Sequence, residues 1–235
     1  WDDLPFPKYN ENYYRSCDYV ACISRQTYNI VKNVWTKEPK WNPWQIQYVP
    51  HGINSNVYKP LTEPADIIAR DVFKKALFKD KEYDFVVLYN NRNIRRKMTG
   101  DVVLAFNEFV KKLPKEKADR CLLLLHTQPV DENGTDIPKL ISDLTPDIQH
   151  LFSSNRLLPQ QMNYLYNISD VTINLSSNEG FGLATMESIM AGTMILANVT
   201  GGLQDQIGFK DNLGALLHED LQKKKKWGSN HDGKY

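Results

Sequence analysis

Residues 171–197 read VTINLSSNEGFGLATMESIMAGTMILA. Val171 to Leu175 is a short apolar run closed by Ser176 and Ser177, which predicts a strand. Leu183 to Ala191 predicts a helix, and Met194 to Ala197 turns apolar again directly after Gly192 and Thr193. Strand, helix and strand in so short a stretch form a β-α-β unit, whose two strands run parallel. The loop between the first strand and the helix, Ser176-Ser177-Asn178-Glu179-Gly180-Phe181-Gly182, contains two glycines, and the carboxylates Glu179 and Glu187 bound the segment that follows. Such loops lie beyond the carboxyl ends of strands, where open α/β sheets receive ligands. Gly180 and Gly182 let backbone N–H groups approach a ligand without interference from a Cβ. The orphan N–H groups and dipole of the helix starting at Leu183 favour an anion at the same place.

Outward from this unit the alternation continues. The pattern predicts strands over Val20 to Ile23, Phe85 to Tyr89, Cys121 to His126 and Ala215 to Leu217. It predicts helices from Ser24 as N-cap through Val34, over Asp101 to Lys112 with Thr99 or Gly100 as cap, over Ile137 to Leu144 and over Pro159 to Tyr166. Alternating short apolar strands and helices specify an α/β fold with a parallel sheet covered by helices on both faces. Residues 36–64 hold Pro39, Pro43, Pro50, Pro60 and Pro64, with Trp35, Trp41 and Trp44 nearby, and read as a linker between units.

The 235 residues carry 29 basic and 28 acidic side chains, so no global field attracts nucleic acid or an anionic membrane and an anion site has to be local. Cys17, Cys22 and Cys121 are too few and too scattered for a disulfide framework or a zinc site and fit a reducing, cytoplasmic setting. No apolar run reaches the roughly 18 residues that span a bilayer. Lys223 to Lys226 with Trp227 form a basic tail, readable as a solvated end or as a peripheral membrane contact.

Two clusters can bind ligand. On the helix after Gly182, Leu183, Met186 and Met190 define an apolar stripe bordered by Glu187. A carboxylate in that position needs partners, and either a diol such as ribose or a nearby lysine or backbone cap supplies them. After the strand Phe85 to Tyr89 comes Asn90-Asn91-Arg92-Asn93-Ile94-Arg95-Arg96-Lys97, four cations in six residues, a diphosphate pocket or a solvated basic loop. Gly201-Gly202 reads as a further flexible loop. His51 and His126 read either as cleft residues or as structural ones. The G-x-S-x-G, G-x-G-x-x-G and P-loop patterns are missing, against a serine hydrolase, a dinucleotide oxidoreductase and a P-loop NTPase.

In this order the segments resemble family 4 retaining glycosyltransferases of GT-B fold. The resemblance rests on V-P-H-G-I-N at Val49 to Asn54, R-N-I-R-R-K at Arg92 to Lys97, the E-x7-E element at Glu179 and Glu187, and Gly201-Gly202. It implies a Rossmann-like donor domain over 46–218, a remnant of the acceptor-side domain over 1–45 and a tail over 219–235. It implies transfer of a sugar, with retention at the anomeric carbon, from a UDP-, GDP- or ADP-sugar to a glycan, lipid or protein acceptor, without metal or further cofactor. Arg92 and Lys97 would grip the diphosphate with help from the backbone of Gly182 and Leu183. Glu187 would hold the ribose, and Glu179 the sugar, with backbone contacts from Gly180 and Phe181; Glu179, Arg92 and Lys97 are the groups closest to the chemistry. The chain departs from the pattern at Asn91, Met98 and Ala184, where the family commonly has Gly, Gly and Pro, and at Asp205, where Glu is common. It also departs in length: only about 45 residues precede the linker, so the first Rossmann-like half is expected to be missing and the chain to be truncated. The alternatives are a non-catalytic nucleotide-sugar or anion-binding module, and a GT-B-fold sugar epimerase.

Overall fold

The computed structural model describes residues 10–208. In chain order the elements are α1 (Glu11–Arg15), β1 (Val20–Cys22), α2 (Arg25–Val34), β2 (Ile46–Tyr48), α3 (Pro64–Phe78), β3 (Phe85–Asn90), α4 (Thr99–Val110), α5 (Lys115–Ala118), β4 (Cys121–His126), α6 (Ile137–Leu144), β5 (His150–Phe152), α7 (Pro159–Asn167), β6 (Val171–Asn174), α8 (Leu183–Met190), β7 (Met194–Ala197) and α9 (Gly201–Ile207). The described residues form two units. One comprises 10–52, 178–182 and 199–208, the other Ile53–Ser177 and Leu183–Asn198.

The first unit holds the parallel pair β1-β2, in register from Val20↔Ile46 to Cys22↔Tyr48. Ser24 caps α2 as the sequence predicts, its Oγ accepting the Thr27 N–H at 3.0 Å. Cys22, Val31, Trp35 and Ile46 make its small core. The Asp205 carboxylate on α9 accepts the Arg25 N–H at 2.8 Å, which satisfies an orphan donor at the start of α2. Aspartate in place of the commoner glutamate therefore still has a structural task.

The second unit is a five-stranded parallel sheet of order β5-β4-β3-β6-β7. The central pair β3-β4 runs from Phe85↔Cys121 to Asn90↔His126. Val87, Tyr89, Leu123 and Leu125 face α4 and α6 through Val102, Val103, Phe106, Ile137 and Ile141. Val86, Leu88, Leu122 and Leu124 face α3 and α7 through Phe78, Met162, Leu165 and Tyr166. Strands buried on both faces read as unbroken apolar runs, which is why β3 and β4 are legible in the sequence. The sheet is Rossmann-like, with helices on both faces, as in the C-terminal half of a GT-B fold.

Four local expectations need correction. The linker predicted over 36–64 contains β2, whose three residues are specified by pairing with β1 rather than by alternation. Pro64 does not end regular structure but opens α3 at its first turn, where the missing N–H costs nothing. Met98, at φ 53°, replaces Thr99 or Gly100 as N-cap of α4. The family pattern's glycine at that position suits this left-handed backbone better than methionine does. Gly201 and Gly202 form the first turn of α9, not a loop. The strand predicted over Ala215 to Leu217 and the Lys-rich tail lie outside the described residues.

Candidate donor site at the carboxyl edge of the sheet

From β3 the chain passes to β4 and β5 on one side, then returns to place β6 and β7 on the other. The carboxyl ends of β3 and β6 therefore flank the topological switch point, the usual ligand crevice of an open α/β sheet. The two strand-end loops are tied together there, the Ser177 N–H donating to the Arg96 carbonyl at 2.9 Å.

The β3 loop carries the predicted cations. Arg95–Lys97 form a single 3-10 turn, in which Lys97 is 7% exposed while Arg92 is open to solvent. The loop is built on Asn93. Its buried side chain donates to the Thr135 carbonyl at 2.6 Å and accepts the Thr135 N–H at 3.1 Å. Arg92 Nε donates to Asp131 Oδ2 at 3.0 Å, which leaves both terminal amino groups of the guanidinium for a ligand. The Asn133 N–H, and after it the Arg92 side chain, hold the Asp131 carboxyl below the usual carboxylate range. With Arg92 exposed, solvent screens the pair and it adds little to stability. Its effect is to aim Arg92.

Helix α8 departs from its predicted stripe. Leu183 is 48% exposed, and the buried face consists of Thr185 and Ser188. Thr185 Oγ1 accepts from Asn174 Nδ2 at 3.0 Å, and the Ser188 and Thr172 hydroxyls are 2.7 Å apart. Small hydroxyl side chains bring the helix close to β6. Glu187 is half-buried and lies among tyrosines: Tyr166 Oη donates to Oε2 at 2.7 Å, and the Tyr58 hydroxyl stands beside the same carboxylate. Desolvation raises the Glu187 pKa and the two tyrosine hydroxyls lower it in part, with a net rise. Neither the lysine nor the backbone cap weighed for Glu187 is its partner in this network.

This raised value predicts a pH effect. A folded-state acid that keeps its proton above its unfolded-state pKa lends full stability in acid and loses it as pH rises from the ordinary glutamate value through the raised one. Glu187→Gln is thus expected to raise the melting temperature at neutral pH and to have no effect at about pH 4. Scanning calorimetry at the two values checks it; an unchanged neutral melting point contradicts it.

The remaining predicted residues belong to the first unit. Gly182 lies at φ 90°, a conformation glycine alone adopts readily. The Glu179 and Gly180 carbonyls accept the Gly202 N–H at 3.3 and 3.1 Å, and Gln206 Nε2 donates to the Phe181 carbonyl at 2.6 Å. The Phe181 ring meets His51 edge-on, with centroids 5.1 Å apart, so His51 packs against the loop. His126, at the end of β4, pairs with Ser153 Oγ at 3.1 Å, and burial lowers its pKa. The structure thus groups Arg92, Lys97, Leu183 and Glu187 in the sheet unit, and Glu179, Gly180, Phe181 and Gly182 in the other. Among the described residues no cluster of three or more His, Cys, Asp or Glu could hold a metal ion, and no helix is long and apolar enough to cross a membrane.

The profile of the family described as "Glycosyl transferases group 1" matches residues 70–224. The chain belongs to the group 1 glycosyltransferases. This group 1 chain is 29% identical over 110 residues to a D-inositol 3-phosphate glycosyltransferase of Corynebacterium urealyticum, covering 39% of the chain and 26% of that protein. Among solved structures it is similar to HepE of Anabaena in complex with UDP and glucose, with a TM-score of 0.60 and 17% identity over 85% of the chain and 50% of that protein. It is similar to sucrose-phosphate synthase from Thermosynechococcus elongatus, with a TM-score of 0.63 and 22% identity over 83% of the chain and 44% of that protein. The C-terminal domain of LpcC, a group 1 glycosyltransferase of Francisella tularensis, has a TM-score of 0.53 and 17% identity over 77% of the chain and 93% of the domain. The group 1 chain thus spans about a quarter of its sequence relative and about half of the longer structures.

Tyr58, Asp131 and Tyr166 are absent from the site as the sequence presents it. A buried tyrosine hydroxyl needs a partner, but nothing in the spacing of Tyr166 says that the partner is Glu187.

Proposed function

We propose that this chain is the donor-binding part of a retaining glycosyltransferase that moves a sugar from a nucleoside-diphosphate sugar to an acceptor. The observation that carries the reading is the pairing, at one switch point, of a buried lysine and an aimed arginine after β3 with a half-buried carboxylate on α8. Arg92 and Lys97 neutralise the diphosphate and stabilise the charge that grows on it as the sugar departs, so cations replace a metal. The N-terminal backbone of Gly182 and Leu183 adds N–H donors. Glu187 accepts the ribose hydroxyls. Glu179 takes the sugar hydroxyls beside Gly180 and Phe181, where an oxocarbenium-like transition state is held for retention. HepE is described in complex with UDP-glucose, which supports a donor of this class. Residues 46–218 act as the donor domain, and 1–45 belong to the acceptor side. Cys17, Cys22 and Cys121 are unbridged, which suits a cytoplasmic enzyme.

Calorimetry with UDP, GDP and ADP tests the site. One of them is expected to bind, and Glu187→Ala to weaken it at least tenfold, as loss of a charge-assisted bond does. Binding of none, or binding indifferent to Glu187→Ala, removes the assignment. Product formation by the full-length protein, with the anomeric configuration read by NMR, separates an enzyme from a binding module.

A further inference from the structure

The polar network around Glu187 extends beyond the proposed ligand contacts. Tyr166 has no exposed surface. Its hydroxyl receives the Asn90 Nδ2 proton at 2.8 Å and gives its own proton to Glu187 Oε2 at 2.7 Å. A phenol has one proton to donate, so the direction of this chain is set: Asn90 to Tyr166 to Glu187. Asn90 is the last residue of β3, two positions before Arg92. The chain thus joins the end of β3, helix α7 and helix α8.

The Tyr58 hydroxyl also acts on Glu187, and its ring packs edge-on against Tyr166 with centroids 6.2 Å apart. Its segment is held by α7. Asn163 Oδ1 accepts the Lys59 N–H at 3.1 Å, Asn167 Oδ1 accepts the Leu61 N–H at 3.0 Å, and both side chains donate to the Lys59 carbonyl at 3.1 Å. Burial pushes the Tyr58 pKa up to about 12 and the Tyr166 pKa well above the usual phenol value, so both remain donors. The strands beside α8, Val171–Asn174 and Met194–Ala197, contribute no titratable group. Among the described residues, the ionisable groups that act on Glu187 are the two tyrosines.

An ionised carboxylate has roughly four acceptor sites. The Tyr166 hydroxyl fills one of them on Oε2, and the sites that remain are enough for a pair of neighbouring hydroxyls. We propose that Tyr166, oriented by Asn90 and assisted by Tyr58, is the positioning residue for Glu187, fixing the carboxylate so that its remaining acceptor sites take the vicinal diol of the bound nucleoside diphosphate. This rests on the donor-site reading above, in which Glu187 holds the ribose, and adds to it the residues that position the carboxylate.

The test is calorimetry on the full chain and its Tyr166→Phe and Tyr58→Phe variants. The probes are a nucleoside diphosphate that binds, its 2′,3′-dideoxy form and inorganic diphosphate, each followed from acid to neutral pH. The wild type is expected to prefer the diol form. Tyr166→Phe keeps the ring packing and is expected to lower affinity for the diol form about tenfold, leaving the dideoxy form and inorganic diphosphate unchanged. With a stabilising bond to the carboxylate gone, the acid limb of diol binding moves to higher pH. Tyr58→Phe is expected to act in the same direction and carries the readout if Tyr166→Phe does not fold. An unchanged diol preference and an unmoved acid limb in a folded variant overturn the positioning role while nucleotide binding still upholds the site. A wild type that binds inorganic diphosphate but does not distinguish the diol also overturns it. A wild type that binds none of the probes removes the donor-site reading and this inference with it.

Discussion

Lys97→Met is expected to weaken binding of inorganic diphosphate and of nucleoside diphosphates by about ten- to a hundredfold. Lys97 is 7% exposed, and salt screens a charge in so buried a position much less than one at the surface. Methionine keeps the length and most of the volume of the stem, so packing around the Arg95–Lys97 turn survives the change. What is lost is one charge-assisted hydrogen bond to the ligand, roughly 1.5–3 kcal/mol. Arg92→Met is expected to cost less, because Arg92 is exposed and screened. Calorimetry at low and high salt separates the two: the Lys97 effect persists at high salt and the Arg92 effect shrinks. If Arg92→Met proves the more damaging at high salt, the buried lysine is not the main diphosphate ligand.

Gly201→Ala is expected to lower the melting temperature by roughly 6–12 °C, for a destabilisation above about 3 kcal/mol. Gly201 lies at φ 49°, in the left-handed region, where an L side chain costs about 1–2 kcal/mol. A Cβ there would also run into the Glu179 carbonyl. The obstacle is backbone, so no rotamer change relieves it. The next residue is similarly placed, since a Cβ on Gly202 would come within 2.5 Å of the Phe181 carbonyl. The glycine pair lets α9 lie against the Glu179–Phe181 backbone, and the Gly202 N–H bonds depend on that approach. Gln206→Ala, which removes the side-chain bonds to the Phe181 and Gly182 carbonyls, is the comparison and should cost about 1 kcal/mol. A Gly201→Ala protein with wild-type melting temperature and unchanged protease sensitivity at residues 178–182 would show that the close approach is unimportant.

Beside these outcomes, the legible parts of the chain share one property: their cause is local. The strands Phe85–Asn90 and Cys121–His126 are continuous apolar runs because both faces are covered. Ser24 caps α2 through an atom three residues away. The short strand His150–Phe152 and helix α3 were not legible. Three residues at the sheet edge gain their conformation from pairing with β4, and most of α3 is only partly buried, with Phe78 its one fully buried residue, which blurs its periodicity.

The candidate site divides in the same way. Arg92, Lys97, Glu179 and Glu187 are visible as charges beside glycine and at strand ends, so charge type, loop position and sheet class follow from sequence alone. What Glu187 touches does not. Its hydroxyl donor Tyr166 is 21 residues away, and the amide that orients Tyr166 is a further 76 residues away in sequence. The burial that raises the Glu187 pKa is likewise supplied by neighbouring elements. Short-range steric and capping preferences belong to the residue order, whereas hydrogen-bond partners and desolvation arise only when distant segments pack, and the tertiary structure alone decides them.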